Sequence, residues 1–171
     1  NKELAQHGVM IGPTVATADR ATIGGMIGND SAGKGSLVYG KMSDCVVSLR
    51  TVLRGGTVWD SKSICSEEVE RFENISGVVG DIHCEVKRAC EAASVFLREH
   101  WPELPRFVSG YNLPMAWDGE TFNLNRIICG SEGTLGVMTE ATLQCVDLPI
   151  DQHLIVVGLS SFNAALRCGA G

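Results

Sequence analysis

Two glycine-rich stretches hold the residues best suited to chemistry. The first, Pro13 to Gly33, is dominated by small and hydroxylated residues, and Gly24, Gly25, Gly28, Gly33, Gly35 and Gly40 fall within 17 positions. Backbone without Cβ atoms can wrap closely around a ligand. Its N–H groups, with the hydroxyls of Thr17, Thr22 and Ser31, can donate to pyrophosphate or ring acceptors without any basic residue. Such a density of glycine reads as loop rather than helix. The second stretch, Gly130-Ser131-Glu132-Gly133-Thr134-Leu135-Gly136, spaces glycines at three-residue intervals just before a strand. Alone it would equally fit a tight structural connection, and its pairing with the first loop is what favours a ligand.

Other chemistries fit less well. Gly28-Asn29-Asp30-Ser31-Ala32-Gly33-Lys34-Gly35 nearly matches a P-loop, but Gly35 stands where a Ser or Thr must hold the metal ion. Ser36-Leu37-Val38-Tyr39-Gly40, which follows, shows no helical run, so a nucleotide triphosphatase is excluded. The seven cysteines include no C-x-x-C pair and lie in apolar runs such as Arg126-Ile127-Ile128-Cys129, as buried reduced thiols do. No metal site is expected. His7 in a terminal helix, His153 at a strand entrance, and His83 and His100 on a helix lack partners of catalytic or ligand spacing and read as structural. Arg106 would suit a carboxylate held bidentately, or equally a surface ion pair.

The elements that must position the loops fall into three zones. From Val9 to Trp59 lies a loop-and-strand region, with a strand at Cys45–Leu53, a Gly55-Gly56 turn and a strand resuming at Thr57-Val58-Trp59. From Ser66 to His100 the 3.6-residue spacing of Val86, Ala89, Cys90, Ala93 and Phe96 predicts two helices, with Ser66 as the first N-cap and Trp101-Pro102 as the stop. The third zone alternates apolar and polar residues over Gly136–Val146, predicting one face on a core, and a more deeply buried strand follows over His153–Leu159. Strands, helices, then strands make the class α+β, an antiparallel or mixed sheet flanked by helices.

Composition narrows the partners. The chain has 171 residues, 44% of them hydrophobic, which is enough for one core, and a net charge of −6, which argues against nucleic acid. No apolar run reaches the roughly 18 residues of a transmembrane helix and no signal peptide opens the chain, so a cytoplasmic protein is expected. The helix-like start without Met and the short closing helix from Ser160 make both ends look cut.

With both loops in place, and with Tyr39-Gly40-Lys41 leading into Asp44 and Arg106-Phe107-Val108-Ser109-Gly110-Tyr111-Asn112-Leu113 after the helices, the chain resembles a known unit. It looks like the second FAD-binding (PCMH-type) subdomain of vanillyl-alcohol-oxidase-type flavoproteins, nearest the D-lactate, D-2-hydroxyglutarate and glycolate dehydrogenase branch. The resemblance implies FAD as cofactor. It implies that Ala16, Thr17, Ala18, Thr22, Gly24 and Gly25 line the flavin and its diphosphate. Asn29, Ser31 and Ala32 would meet the isoalloxazine or ribityl region. Gly130, Glu132, Gly133, Thr134, Gly136 and Val137 would hold the adenosine end, Val137 through its backbone. Thr14 and Ala16 stand where family members commonly carry an acidic residue and a Ser.

The same resemblance implies a small 2-hydroxy acid as substrate, oxidised by hydride transfer to flavin N5 while a base takes the hydroxyl proton. Residues 1–150 would be this subdomain, incomplete at its N-terminal side, and residues 151–171 the start of a substrate cap domain carrying the base. No catalytic or substrate-binding residue is therefore expected here, no electron acceptor is implied, and a homodimer is among the allowed assemblies. A non-catalytic assembly module that keeps the fold, and a flavin oxidase of another alcohol, remain as alternatives.

Overall fold

The computed structural model of the chain describes residues 1–102, 104 and 110–169. It begins with helix α1 (Lys2–Ala5) and a two-residue strand, β1 (Val9–Met10), and passes through three short helices, α2 (Ile23–Gly28), α3 (Ser36–Tyr39) and α4 (Met42–Cys45). The β-branched run then forms strand β2 (Val46–Leu53). Its polar-apolar successor forms β3 (Val58–Cys65), and the turn between them is closed by the Leu53 N–H on the Thr57 carbonyl at 2.8 Å.

Helices α5 (Ser66–Glu73) and α6 (Val78–His100) follow, then a 3-10 turn at Leu113–Met115, strand β4 (Thr121–Asn123), helix α7 (Asn125–Ile128), strands β5 (Gly136–Leu143) and β6 (Val146–Asp147), and helix α8 (Phe162–Gly169). The main sheet has the order β4-β3-β2-β5 with every pairing antiparallel, and β1 pairs with β6 in a separate two-stranded ribbon. The α+β expectation therefore holds.

One face of the sheet carries the core. Leu49, Thr51 and Leu53 alternate inward along β2, and Trp59, Ser61 and Ile64 are buried along β3, with Phe122 beside them on β4. Helices α5 and α6 close this face through Val69, Cys90 and His83. Each large apolar side chain removed from water here contributes roughly 1.5–3 kcal/mol. The His83 ring stacks on Phe72 with centroids 4.5 Å apart and meets Trp59 edge-on at 5.6 Å. Its Nδ1 lies 2.7 Å from the Val79 carbonyl, and burial pushes its pKa down. His83 is thus a core histidine, as its spacing suggested. On the opposite face Arg50 spans three strands, Nε donating to Asp60 and Nη1 to Glu140 at 2.8 Å each. The hydrogen bonds it donates to Asp60, then to Glu140, push the Arg50 pKa up.

Several local expectations are corrected. The first glycine stretch is not all loop: Thr22 accepts a hydrogen bond from the Gly25 N–H at 3.1 Å and caps a true helix, α2, whose buried side holds Met26 and Ile27. Capping and the burial of these two residues outweigh the poor helix propensity of glycine. Ser36–Tyr39 likewise forms one helical turn, too short to rebuild a P-loop. The N-cap of α5 is Cys65, with Glu68 completing a capping box, and Ser66 is the first helical residue. Cys45 ends α4 rather than opening β2.

β5 stops at Leu143, and most of its residues are exposed. The predicted buried strand at 153–159 does not form: Leu154 is 90% exposed and Val156 85%, and no described element pairs with the segment. Apolar content alone cannot make a strand without a ladder to join. The cysteines are all free, but only Cys45, Cys90 and Cys129 are buried, while Cys65 and Cys168 are exposed. Among the described residues no helix is long and apolar enough to cross a membrane.

Candidate cofactor site

The first loop is closed at its base by one close approach. Lys34 donates its backbone N–H to the Thr14 carbonyl at 3.1 Å, and a Cβ on Gly33 would lie 1.9 Å from that same oxygen. Gly33 is therefore required by the loop's own closure. Gly24 is different: it lies on the exposed side of α2, and a Cβ there would meet nothing within 4 Å. Three of the six residues of α2 are glycine, and two of them, Gly24 and Gly25, lie on its exposed face.

The second loop docks directly on the first. The Gly130 N–H donates to the Ile27 carbonyl at 3.1 Å and the Glu132 N–H to the Gly28 carbonyl at 2.9 Å. Glu132 takes φ +51 and Gly130 and Gly133 both φ +82, so this loop is a run of left-handed turns for which glycine is the natural residue. Docking opens a cleft of about 480 Å3 lined by Asn29, Asp30, Lys41, Tyr111, Gly130, Glu132 and Thr134. The Thr134 hydroxyl donates to the Ser131 carbonyl at 2.6 Å, so its 2.9 Å contact with Tyr111 is a hydrogen bond donated by the tyrosine. Asn29 Nδ2 donates to Ser31 Oγ at 2.9 Å.

The remaining expected residues lie elsewhere. Ala18 lines a second cleft of about 450 Å3 beneath the first loop, beside Thr14, Val15 and Ile11. Ala16, Thr17, Thr22, Gly24 and Gly25 are exposed, while Ser31 and Ala32 are half-buried. Gly136 packs into the sheet, where a Cβ would meet Thr51 Cγ2 at 2.7 Å, and Val137 is 66% exposed in β5. His7 and His153 are exposed, and His153 sits in the segment that forms no strand. Arg106 and its neighbours at 105–109 lie outside the described residues.

Sequence reasoning named Lys41 and Asp44 but did not single out the charged network they form with Asp30, Ser43 and Arg126 at the wall of the cleft. Asp30, 5% exposed, adopts φ +46 and accepts from the Ser43 N–H at 2.8 Å and the Ser43 hydroxyl at 3.1 Å, with Lys41 Nζ at 2.6 Å. Arg126 pairs with Asp44 and donates to Ser43 Oγ at 3.2 Å. Burial alone would raise the Asp44 carboxyl, but the hydrogen bonds from Arg126 and the Lys41 N–H outweigh it and hold its pKa below the usual value. An Asn-Asp pair inside a glycine run was the available signal, since these residues tolerate left-handed backbone. Cys129, on the cleft wall, is pushed up to about 12 by burial and stays a protonated thiol at neutral pH. Among the described residues no group of three or more His, Cys, Asp or Glu is placed to hold a metal ion.

Residues 1–62, which contain the whole first loop and reach into β3, match the family described as FAD binding domain. Over 169 residues the chain is 40% identical to D-2-hydroxyglutarate dehydrogenase of Escherichia coli strain K12, covering 98% of this chain and 17% of that protein. The corresponding enzyme of Pseudomonas putida strain KT2440 is 37% identical, again over 98% of this chain and 17% of that protein. D-lactate dehydrogenase [cytochrome] 1, mitochondrial, of Saccharomyces cerevisiae is 26% identical, over 99% of this chain and 20% of that protein. The chain thus spans about a sixth of the length of the relatives it matches best among these. A solved alkyldihydroxyacetonephosphate synthase superposes with a TM-score of 0.49 at 24% identity, over 88% of this chain and 17% of that one.

Proposed function

We propose that this chain forms part of the FAD site of a flavin-dependent dehydrogenase that oxidises a D-2-hydroxy acid, D-2-hydroxyglutarate before D-lactate or glycolate. The observation that carries the reading is the docking of the two loops through Gly130 and Glu132 onto Ile27 and Gly28, which makes one continuous glycine-rich surface from segments about a hundred residues apart. The bare outer side of α2 at Gly24 and the open Gly133 turn let a cofactor approach the backbone closely. The similarity to D-2-hydroxyglutarate dehydrogenases at 37–40% identity supports the substrate class.

Bound FAD would supply the two-electron acceptor. This chain's own residues would bind and orient it. Asn29, Ser31 and Ala32 would hold the part nearest the reacting ring, Gly130 to Val137 the remoter part through backbone groups, and Ala16 to Gly25 the stretch between. No residue is proposed as catalytic base. Residues 151–171 are proposed to begin a separate substrate-facing unit.

The test is to purify the protein that carries this chain, record its flavin absorbance, and assay dye reduction with D-2-hydroxyglutarate, D-lactate and glycolate. A yellow protein most active on D-2-hydroxyglutarate is expected. A colourless protein that cannot be reconstituted with FAD would overturn the reading. A yellow protein that reduces dye only with another alcohol would overturn the substrate assignment.

A further inference from the structure

Asp30 is a buried carboxylate on a backbone conformation that non-glycine side chains rarely adopt, φ +46, and it sits between Asn29 and Ser31. A strained residue persists only where its surroundings over-determine it. Here three donors do so: Lys41 Nζ at 2.6 Å, the Ser43 N–H at 2.8 Å and the Ser43 hydroxyl at 3.1 Å. The backbone on either side is fastened as well. The Asp30 N–H donates to the Ile27 carbonyl at 2.9 Å, and the Ser31 carbonyl accepts from the Met42 N–H at 3.0 Å. Across the cleft, a Cβ on Gly130 would lie 3.4 Å from Asp30 Cβ, so the second loop rests against this residue.

Lys41 is also enclosed, its side chain only 12% exposed. A buried ion pair is a weak way to stabilise a fold, since desolvation consumes most of the Coulombic gain. It is an effective way to fix one geometry, since breaking either partner leaves an uncompensated charge. Asn29, by contrast, is exposed on the cleft.

We infer that Asp30 and Lys41 are positioning residues for the cofactor: their ion pair locks the left-handed turn that presents Asn29 at the cleft, with Ser31 Oγ accepting from its amide, and so sets how the flavin ring is held. This rests on the proposed function, and the two fail in different ways.

The experiment uses the full protein that carries this chain, stripped of flavin, with FAD as the probe. Three variants are compared with the parent well below each melting temperature: Asp30→Asn, Lys41→Met, and the double variant. Measured are FAD affinity, and the visible circular dichroism of the flavin at saturation, which reports the ring's surroundings. Each single variant should weaken FAD binding at least tenfold and alter the flavin spectrum. The double variant leaves no unpaired charge and keeps an acceptor for the Ser43 N–H. It should recover most of the melting temperature but not the parent's spectrum. Unchanged affinity and spectrum in the single variants, with only the melting temperature lowered, would overturn the inference. If either single variant fails to fold, the double variant decides, and a parent-like spectrum and affinity there would overturn it. Failure of the parent itself to bind FAD would instead overturn the proposed function, and this inference with it.

Discussion

Gly24→Ala separates what the fold needs from what the cofactor needs. A Cβ at Gly24 meets nothing within 4 Å, and the residue lies in α2 without a positive φ. Replacing glycine by alanine in a helix stabilises by about 0.5–1 kcal/mol. For a chain of this size that raises the melting temperature by roughly 1–4 °C. If the cofactor packs against this side of α2, the same methyl intrudes on its contact, at a cost of about 1–3 kcal/mol. That corresponds to roughly 5- to 150-fold weaker FAD binding. Thermal unfolding of the flavin-free protein and FAD titration by fluorescence quenching measure the two effects independently. A raised melting temperature with unchanged FAD affinity would refute the placement of FAD against α2. Other glycines do not offer this separation. A Cβ at Gly25 lies 3.0 Å from the capping Thr22 hydroxyl, Gly133 sits at φ +82, and Gly136 abuts Thr51, so a side chain at any of these perturbs the chain itself.

Further outcomes follow from the core and the thiols. The folded-state pKa of His83 is depressed by burial, so the unfolded chain binds its proton more readily. Stability should fall as pH drops below about 6.5, and His83→Phe should flatten that dependence in melts from pH 7.5 to 5. Asn125 is fully buried, donating to the Val47 carbonyl at 3.2 Å and accepting from Ser61 Oγ at 2.6 Å, where the β2–β5 register shifts. Asn125→Ala removes both bonds and leaves Ser61 Oγ only its longer bond to the Leu49 carbonyl at 3.4 Å, which should cost about 2–3 kcal/mol in urea denaturation. At pH 8 a maleimide read by mass spectrometry should label exposed Cys65 and Cys168 quickly, and Cys45, Cys90 and Cys129 only after unfolding. Early labelling of Cys129 would contradict its burial.

Much of the architecture was legible because it is local. The β2–β3 hairpin, the two helices between Ser66 and His100, and the stop at Trp101-Pro102 follow from side-chain period and backbone restriction, which a single sequence displays. The two glycine loops were equally visible, since glycine spacing is a property of the chain. Local reading failed where a competing force was not local. Glycine density pointed to loop at Ile23–Gly28, yet the Thr22 cap and the burial of Met26 and Ile27 made a helix. Apolar content pointed to a buried strand at 153–159, yet a strand exists only where a neighbour offers its hydrogen bonds.

The sequence by itself determined the chemical character of the site: small residues, backbone donors and no metal-ligand spacing. Tertiary structure alone decided which of those residues share a cleft. It brought Gly130 and Glu132 onto Ile27 and Gly28, left Ala18 lining a different cleft, and set Lys41 against Asp30. Hydrogen bonds and ion pairs between distant segments depend on distances that no spacing along the chain encodes, and the sheet and helices that set those distances form only when the core is buried.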